Sequence, residues 1–230
     1  MVNFKNDEQL NTLNHSCAHL MAQAIKHIYP QAKFWVGPVV AEGFYYDVDL
    51  GEDVIHDDDI AKIEKEMKKI VKEGATLERF TLPRQEAIDL MRKREEPYKV
   101  ELIEDLPEDA EISFYKQGEG FTDLCAGPHL MNTKGIKAYK LISSSMAYWR
   151  GDSNKAQLQR IYGTAFATKD ELNAYLEHLE DIKKRDHNKL GREMELFTTV
   201  DVIGQGLPLI MPKGVRMIQT LQRWIEDLGD

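Results

Sequence analysis

The sequence predicts an α+β sandwich, and three observations carry that prediction. Helical and extended patterns follow one another in a mixed order rather than as repeated strand-helix units. Apolar residues near the start recur at three- and four-residue steps, and short β-rich runs bounded by Gly, Pro and Asp recur through the stretch from 34 to 167. The chain has 230 residues, 42% hydrophobic and 30% charged. A globular chain of this size buries about 70% of its extended-chain surface. That balance excludes a disordered or collagen-like protein. With 30 Lys and Arg against 39 Asp and Glu, the formal charge is −9. No uncharged apolar run approaches the ~20 residues that a membrane-spanning helix needs. The first residues lack the apolar stretch and cleavage site of a secretory signal, so a cytoplasmic location is expected. Cys17 and Cys125 are then expected as free thiols.

Each element has its own signal. Leu10, Leu13, Cys17, Leu20, Met21, Ala24, Ile25 and Ile28 mark a helix over 7–29, ended by Pro30. The runs 34–40 and 43–50 read as a hairpin around Ala41-Glu42-Gly43. Asp57, Asp58 and Asp59 offer N-cap oxygens to a second helix, whose stripe runs from Ile60 to Val71 and stops at Gly74. A strand at 77–82 precedes a short helix opened by Pro83, and strands are expected at 98–103, 112–115, 121–124, 138–142 and 158–167. Thr168-Lys169-Asp170-Glu171 is a capping box that opens a charged helix of about two dozen residues, a connector. Beyond it, Leu207 to Met211 is a short apolar run, and Val215, Ile218, Leu221, Ile225 and Leu228 form another helical stripe. One strand and one helix cannot bury that stripe, which predicts the start of a second, truncated domain. Charge is uneven: residues 134–192 hold 12 Lys and Arg against 7 Asp and Glu, the remainder 18 against 32. This reads either as a solvated connector or as a phosphate-facing patch.

His15 and His19, four apart, project from one helix face about a turn apart. Cys17 lies round the helix from them and reads as core. Cys125 and His129 flank a Gly127-Pro128 turn. Three imidazoles and a thiol form a four-ligand set acceptable to zinc, although each half alone is a weak signal. Lys99 reads as an exposed strand lysine, Asp123 as a solvated carboxylate, and Tyr45 and Tyr46 as packing residues. Spacing lifts none of these above background.

Five motifs together resemble the bacterial threonyl-tRNA synthetases: His15-Ser16-Cys17-Ala18-His19-Leu20, Gly43-Phe44-Tyr45-Tyr46-Asp47, Asp123-Leu124-Cys125-Ala126-Gly127-Pro128-His129, Ala147 to Ser153, and Gln159-Arg160-Ile161-Tyr162-Gly163-Thr164. Arg185 to Gly191 is also similar to that family's linker helix, and 206–214 to the opening of its class II catalytic domain. The resemblance implies a two-layer α/β sandwich editing domain of the threonyl and alanyl second-additional-domain type over 1–167. It implies a long linker helix over 168–195 and a partial class II domain over 196–230.

The implied activity is hydrolytic editing of mischarged seryl-tRNA(Thr). Serine differs from threonine by one methyl, worth only ~1 to 3 kcal/mol, so a second sieve is required. The parent enzyme performs ATP-dependent threonylation, but its ATP, magnesium and catalytic zinc are not expected in this chain. By resemblance, Lys99 and His15 hold and polarise the attacking water and the ribose hydroxyls. His19, Cys125, His129 and Asp123 shape a polar pocket for serine, and Tyr46 lines it. The partner is the charged 3′ end of tRNA(Thr), with Arg150 and Lys155 as RNA contacts, and neither membrane nor DNA. Ala126 and Met146 depart from the arginine and glycine frequent in the family.

Related alanyl editing domains hold zinc at the positions of His15, His19, Cys125 and His129, whereas threonyl ones work without it. Because Lys99 would repel a dication, no metal is expected, with zinc on those four residues as the alternative. The family dimerises through its catalytic domain, so this chain is expected as a monomer. Two rival readings remain: a zinc-stabilised, non-catalytic tRNA-docking module, and an alanyl-type zinc-dependent editing hydrolase.

Overall fold

A computed structural model describes residues 3–204 and 206–229. The chain divides into two compact units, 1–172 and 173–230. In the first, α1 spans Glu8–Ile28, with the Asp7 carboxylate accepting the Leu10 N–H as N-cap and Glu8 in the first turn. The expected strand over 34–40 splits into β1 (Lys33–Phe34) and β2 (Val39–Val40), both paired antiparallel with β3 (Gly43–Asp49). Gly37-Pro38 makes the break: proline supplies no N–H to a ladder. A Cβ on Gly37 would overlap the Tyr46 ring, so only glycine lets this segment close over that side chain.

Helix α2 (Asp57–Glu73) is capped by His56 rather than by the aspartates, of which Asp59 accepts the His56 N–H from the third position. Then follow β4 (Leu77–Thr81), α3 (Arg84–Lys93) and α4 (Pro97–Asp105). The last of these corrects the strand expected at 98–103. Pro97 stands in the first turn, where its missing N–H costs nothing. Ile103 is buried with Ala87, Ile88 and Met91 of α3, a helix-on-helix contact that overrides the alternating local pattern. β5 (Ser113–Gln117) and β6 (Phe121–Leu124) complete a β4-β5-β6 antiparallel sheet. β7 (Ala138–Tyr148) runs six residues beyond the expected strand, held by its ladder with β8 (Gln157–Phe166). The larger sheet orders its strands β1-β3-β8-β7, with β2 also on β3.

Helices α1 and α2 cover that sheet and form the main core with Leu20, Met21, Ile25, Phe34, Phe44 and Ile161. Cys17 is part of it, fully buried. Ile112 and Phe114 join α3 and α4 in a second, smaller core. The result is an α+β protein in helix and sheet layers.

Thr168 and Glu171 form the expected capping box of α5 (Lys169–Lys184). The expected continuous linker is broken: the Asp186 carboxylate accepts the Lys189 N–H and starts α6 (His187–Glu193). In the second unit β9 (Phe197–Thr198) pairs with β10 (Leu209–Ile210), ahead of α7 (Pro212–Gly229). The α7 residues Val215, Ile218, Leu221, Ile225 and Leu228 are exposed. No helix among the described residues is long and apolar enough to cross a membrane.

The buried Asn14 side chain ties α1 to β8. Its amide donates to the Ala165 carbonyl at 2.9 Å and its oxygen accepts the Ala165 N–H at 2.9 Å. Asn14→Ala strands both backbone groups, at about 3 kcal/mol in all. Urea unfolding followed by circular dichroism is expected to show that loss, and a change under ~1 kcal/mol contradicts the tether.

Candidate active site

The residues singled out from the sequence arrive from four elements. His15 and His19 come from α1, Tyr46 from β3, Lys99 from α4, and Asp123 from β6. Cys125 extends β6, its N–H donating to the Ser113 carbonyl at 3.0 Å. Gly127 then turns the chain at φ 76, and a Cβ there would run into the Tyr115 hydroxyl. The turn returns His129 to α1, where its ring centroid lies 4.1 Å from those of both His15 and His19.

Asp123 is the centre of a buried network. It receives the Lys99 ammonium at 2.6 Å and the Tyr46 hydroxyl, while His19 Nε2 stands 3.4 Å from it. Lys99 also donates to the Tyr46 oxygen at 3.0 Å. Lys99 and Asp123 are each only 3% exposed, which corrects the expectation of a surface strand lysine and a solvated carboxylate. A bare charge in that position would be untenable, and each is the other's counter-ion.

The imidazoles are held neutral. Burial lowers the pKa of His15 against the pull of Asp123, and lowers those of His19 and His129 well below the usual range. Burial, reinforced by the Asp123 charge, pushes the Cys125 thiol up to about 12, so it stands protonated between His15 Nε2 at 3.2 Å and His129 Nε2 at 3.1 Å. Burial likewise raises the Tyr46 phenol.

His15, His19, Tyr46, Lys99, Asp123 and Cys125 border a cavity of about 190 Å³, with His129 behind them. Four wall residues carry no signal in the sequence pattern: Val36, Gly37, Pro38 and Leu102. Leu102 follows Lys99 by three, so a helical reading of 97–105 would have placed it on the same face. Glu96, equally silent in the sequence, is buried at the N-terminus of α4. It accepts the Phe34 N–H at 2.8 Å and the Lys26 ammonium at 3.2 Å, pinning α4 to β1 and α1. Arg150 and Lys155 are exposed. Both lie over the Trp149 ring, and Arg150 pairs with Asp105.

One donor atom from each of His15, His19, Cys125 and His129 lies within 4.8 Å of the others. Tetrahedral zinc separates its nitrogen and sulfur ligands by about 3.6 Å, so the widest of the observed spacings would contract by about 1 Å on binding. His19 Nδ1 is buried without a partner. The donor set therefore fits zinc, and because Asp123 balances Lys99, the repulsion expected from that lysine is reduced.

The family model described as threonyl and alanyl tRNA synthetase second additional domain matches residues 112–162, which carry Asp123, Cys125 and His129. The chain thus contains a synthetase second additional domain. Over 225 residues, 97% of its length, it is 58% identical to the threonine–tRNA ligase of Clostridium botulinum (strain Alaska E43 / Type E3), covering 34% of that protein. It is 58% identical over 224 residues to that of Clostridium perfringens (strain SM101 / Type A), and 51% over 228 residues to that of Acetivibrio thermocellus, covering 34% and 35% of those relatives. The chain is thus similar along nearly its whole length to threonine–tRNA ligases, and spans about a third of the length of the curated relatives it matches.

Lys99→Met leaves the Asp123 charge buried with neutral partners only, at a cost of about 3 kcal/mol. Combining it with Asp123→Asn is expected to cost less than the two single changes together, as a double-mutant cycle by chemical denaturation measures. Strict additivity would show that the pair is not coupled.

Proposed function

We propose that residues 1–167 are an editing domain that hydrolyses the ester of seryl-tRNA(Thr), that 168–195 link it onward, and that 196–230 begin a class II catalytic domain. The observation that supports this most is the meeting of Lys99, Asp123, Tyr46, His15, His19 and Cys125 around one small cavity, with His129 packed against the other two imidazoles. Hydrolysis needs a base for water, positive charge for the oxyanion that builds on the ester carbonyl, and a proton for the departing ribose oxygen. A neutral His15 ring takes a proton from water as the water oxygen bonds to the carbonyl carbon. The Lys99 ammonium stabilises the resulting oxyanion. When the ester C–O bond breaks, the proton held by His15 passes to the ribose oxygen, releasing serine and the tRNA hydroxyl. His19, Cys125, His129 and Asp123 hold the serine, against a wall that includes Tyr46. The added methyl of threonine displaces the water, which spares the correct product.

Arg150 and Lys155 supply RNA contacts in this reading, the charged 3′ end of tRNA(Thr) is the partner, and the cytoplasm is the setting. Threonylation and dimerisation belong to the parent enzyme. The compact donor set favours one second reading, zinc held by His15, His19, Cys125 and His129. Bound there, zinc would act as a Lewis acid on the ester carbonyl.

Purified chain is expected to deacylate seryl-tRNA(Thr) in preference to threonyl-tRNA(Thr) and to seryl-tRNA(Ala). Lys99→Ala and His15→Ala are each expected to slow it by at least about a hundredfold. Wild-type rates in both variants overturn the roles of the ammonium and the imidazole. Activity surviving chelation supports the metal-free route; one zinc per chain by elemental analysis, with activity lost on its removal, selects the second reading.

A further inference from the structure

Ser16 lies between the two histidines of α1, and its hydroxyl is fully buried. Three groups surround the single oxygen: the Thr12 carbonyl at 2.8 Å, the Leu130 N–H at 2.8 Å and His129 Nδ1 at 3.2 Å. A serine hydroxyl has one hydrogen and two lone pairs. The carbonyl can only accept, so at 2.8 Å it takes the hydrogen. The backbone N–H can only donate, so it takes one lone pair. The remaining lone pair faces His129 Nδ1, and that nitrogen must carry a hydrogen.

We infer that Ser16 is a positioning residue that holds His129 as its Nδ1–H tautomer, so that the Nε2 lone pair faces Cys125. The outer hydrogen bond of a histidine fixes which of its ring nitrogens is free. The consequence passes through the thiol. Cys125 has one S–H hydrogen and two imidazole nitrogens beside it, His129 Nε2 at 3.1 Å and His15 Nε2 at 3.2 Å. With His129 Nε2 bare, the thiol hydrogen has an acceptor there, at the shorter of the two distances. The Pro128 backbone favours a hydrogen on the His15 ring, and His15 Nε2, the nitrogen beside the sulfur, is free to take a proton from water when the thiol hydrogen points to His129. Were His129 the Nε2–H tautomer, it would donate to sulfur, and the thiol hydrogen would turn onto His15 and block it. The charged groups facing this relay, Asp123 and Lys99, neutralise each other.

The tautomer stands independently of the hydrolase reading; its effect on rate rests on that reading. Long-range proton–nitrogen correlation spectra of the full chain, labelled with 15N-histidine and treated with chelator, decide the first. His129 is expected to show a hydrogen-bearing Nδ1 and a bare Nε2; a hydrogen-bearing Nε2 in the wild type overturns the inference, whether or not any variant folds. Ser16→Ala is expected to lose this single pattern and to lower kcat for seryl-tRNA(Thr) roughly tenfold at similar KM, with Ser16→Thr restoring both. An unchanged His129 pattern in Ser16→Ala overturns the assignment of Ser16. A changed pattern at unchanged kcat overturns the relay to His15. Absence of all hydrolysis with the expected wild-type tautomer fails the hydrolase reading alone and supports the positioning.

Discussion

The candidate site depends on a buried ion pair. Lys99 from α4 and Asp123 from β6 meet at 2.6 Å with almost no solvent, and neither charge is tolerable there without the other. The pair joins the two sheets: Asp123 belongs to β4-β5-β6, and its other partners, Tyr46 and His19, belong to β3 and α1. Four elements distant in sequence are thus tied to one carboxylate. Glu96 repeats the device three residues before Lys99, where its carboxylate holds α4 against β1 and Lys26. The N-terminal turn of α4, which carries the Lys99 ammonium, is thereby held at two successive points.

Because Lys99 and Asp123 cancel, the surrounding imidazoles remain neutral. Burial lowers all three pKa values, and the one carboxylate that would oppose this is already engaged by an ammonium. The same burial keeps the thiol protonated, which disfavours Cys125 as a nucleophile. A site with one fixed cation, neutral bases and no free thiolate suits attack by water better than formation of an acyl-enzyme.

The parts of this arrangement legible in the sequence are those with a local signature. The three- and four-residue period marks α1 and the shared face of His15 and His19, and the Gly-Pro turn marks the return of His129. The burial of Lys99 is not legible. Tyr98 to Ile103 alternates as a strand does, and what makes it a helix is the packing of Ile103 on α3, a contact outside the local window. Asp123 reads as solvated because its counter-ion is 24 positions earlier. The break at 185–186 is hidden although Asp186 is an ordinary N-cap residue, because the charge pattern continues on both sides of it. The extension of β7 through Ser143, Ser144 and Ser145 has no propensity signal and comes from its ladder with β8. Motif resemblance supplies what periodicity lacks, since it weighs residues jointly over distances that a local window cannot join.

The same geometry bears on the choice between metal and no metal. In the sequence Lys99 stands as a free cation beside the donors, and on that footing it opposes zinc. In the folded chain that charge is bound to Asp123 at 2.6 Å, so a dication would meet a pair of nearly zero net charge. The outer nitrogen of His129 is tied to Ser16, the kind of orienting contact that metal-binding histidines have. Yet a hydrogen-bond relay through Cys125 needs that contact equally. In the relay the thiol keeps its hydrogen, whereas a metal ligand must be a thiolate. The protonation state of one sulfur therefore separates two chemistries that share every other atom of the site.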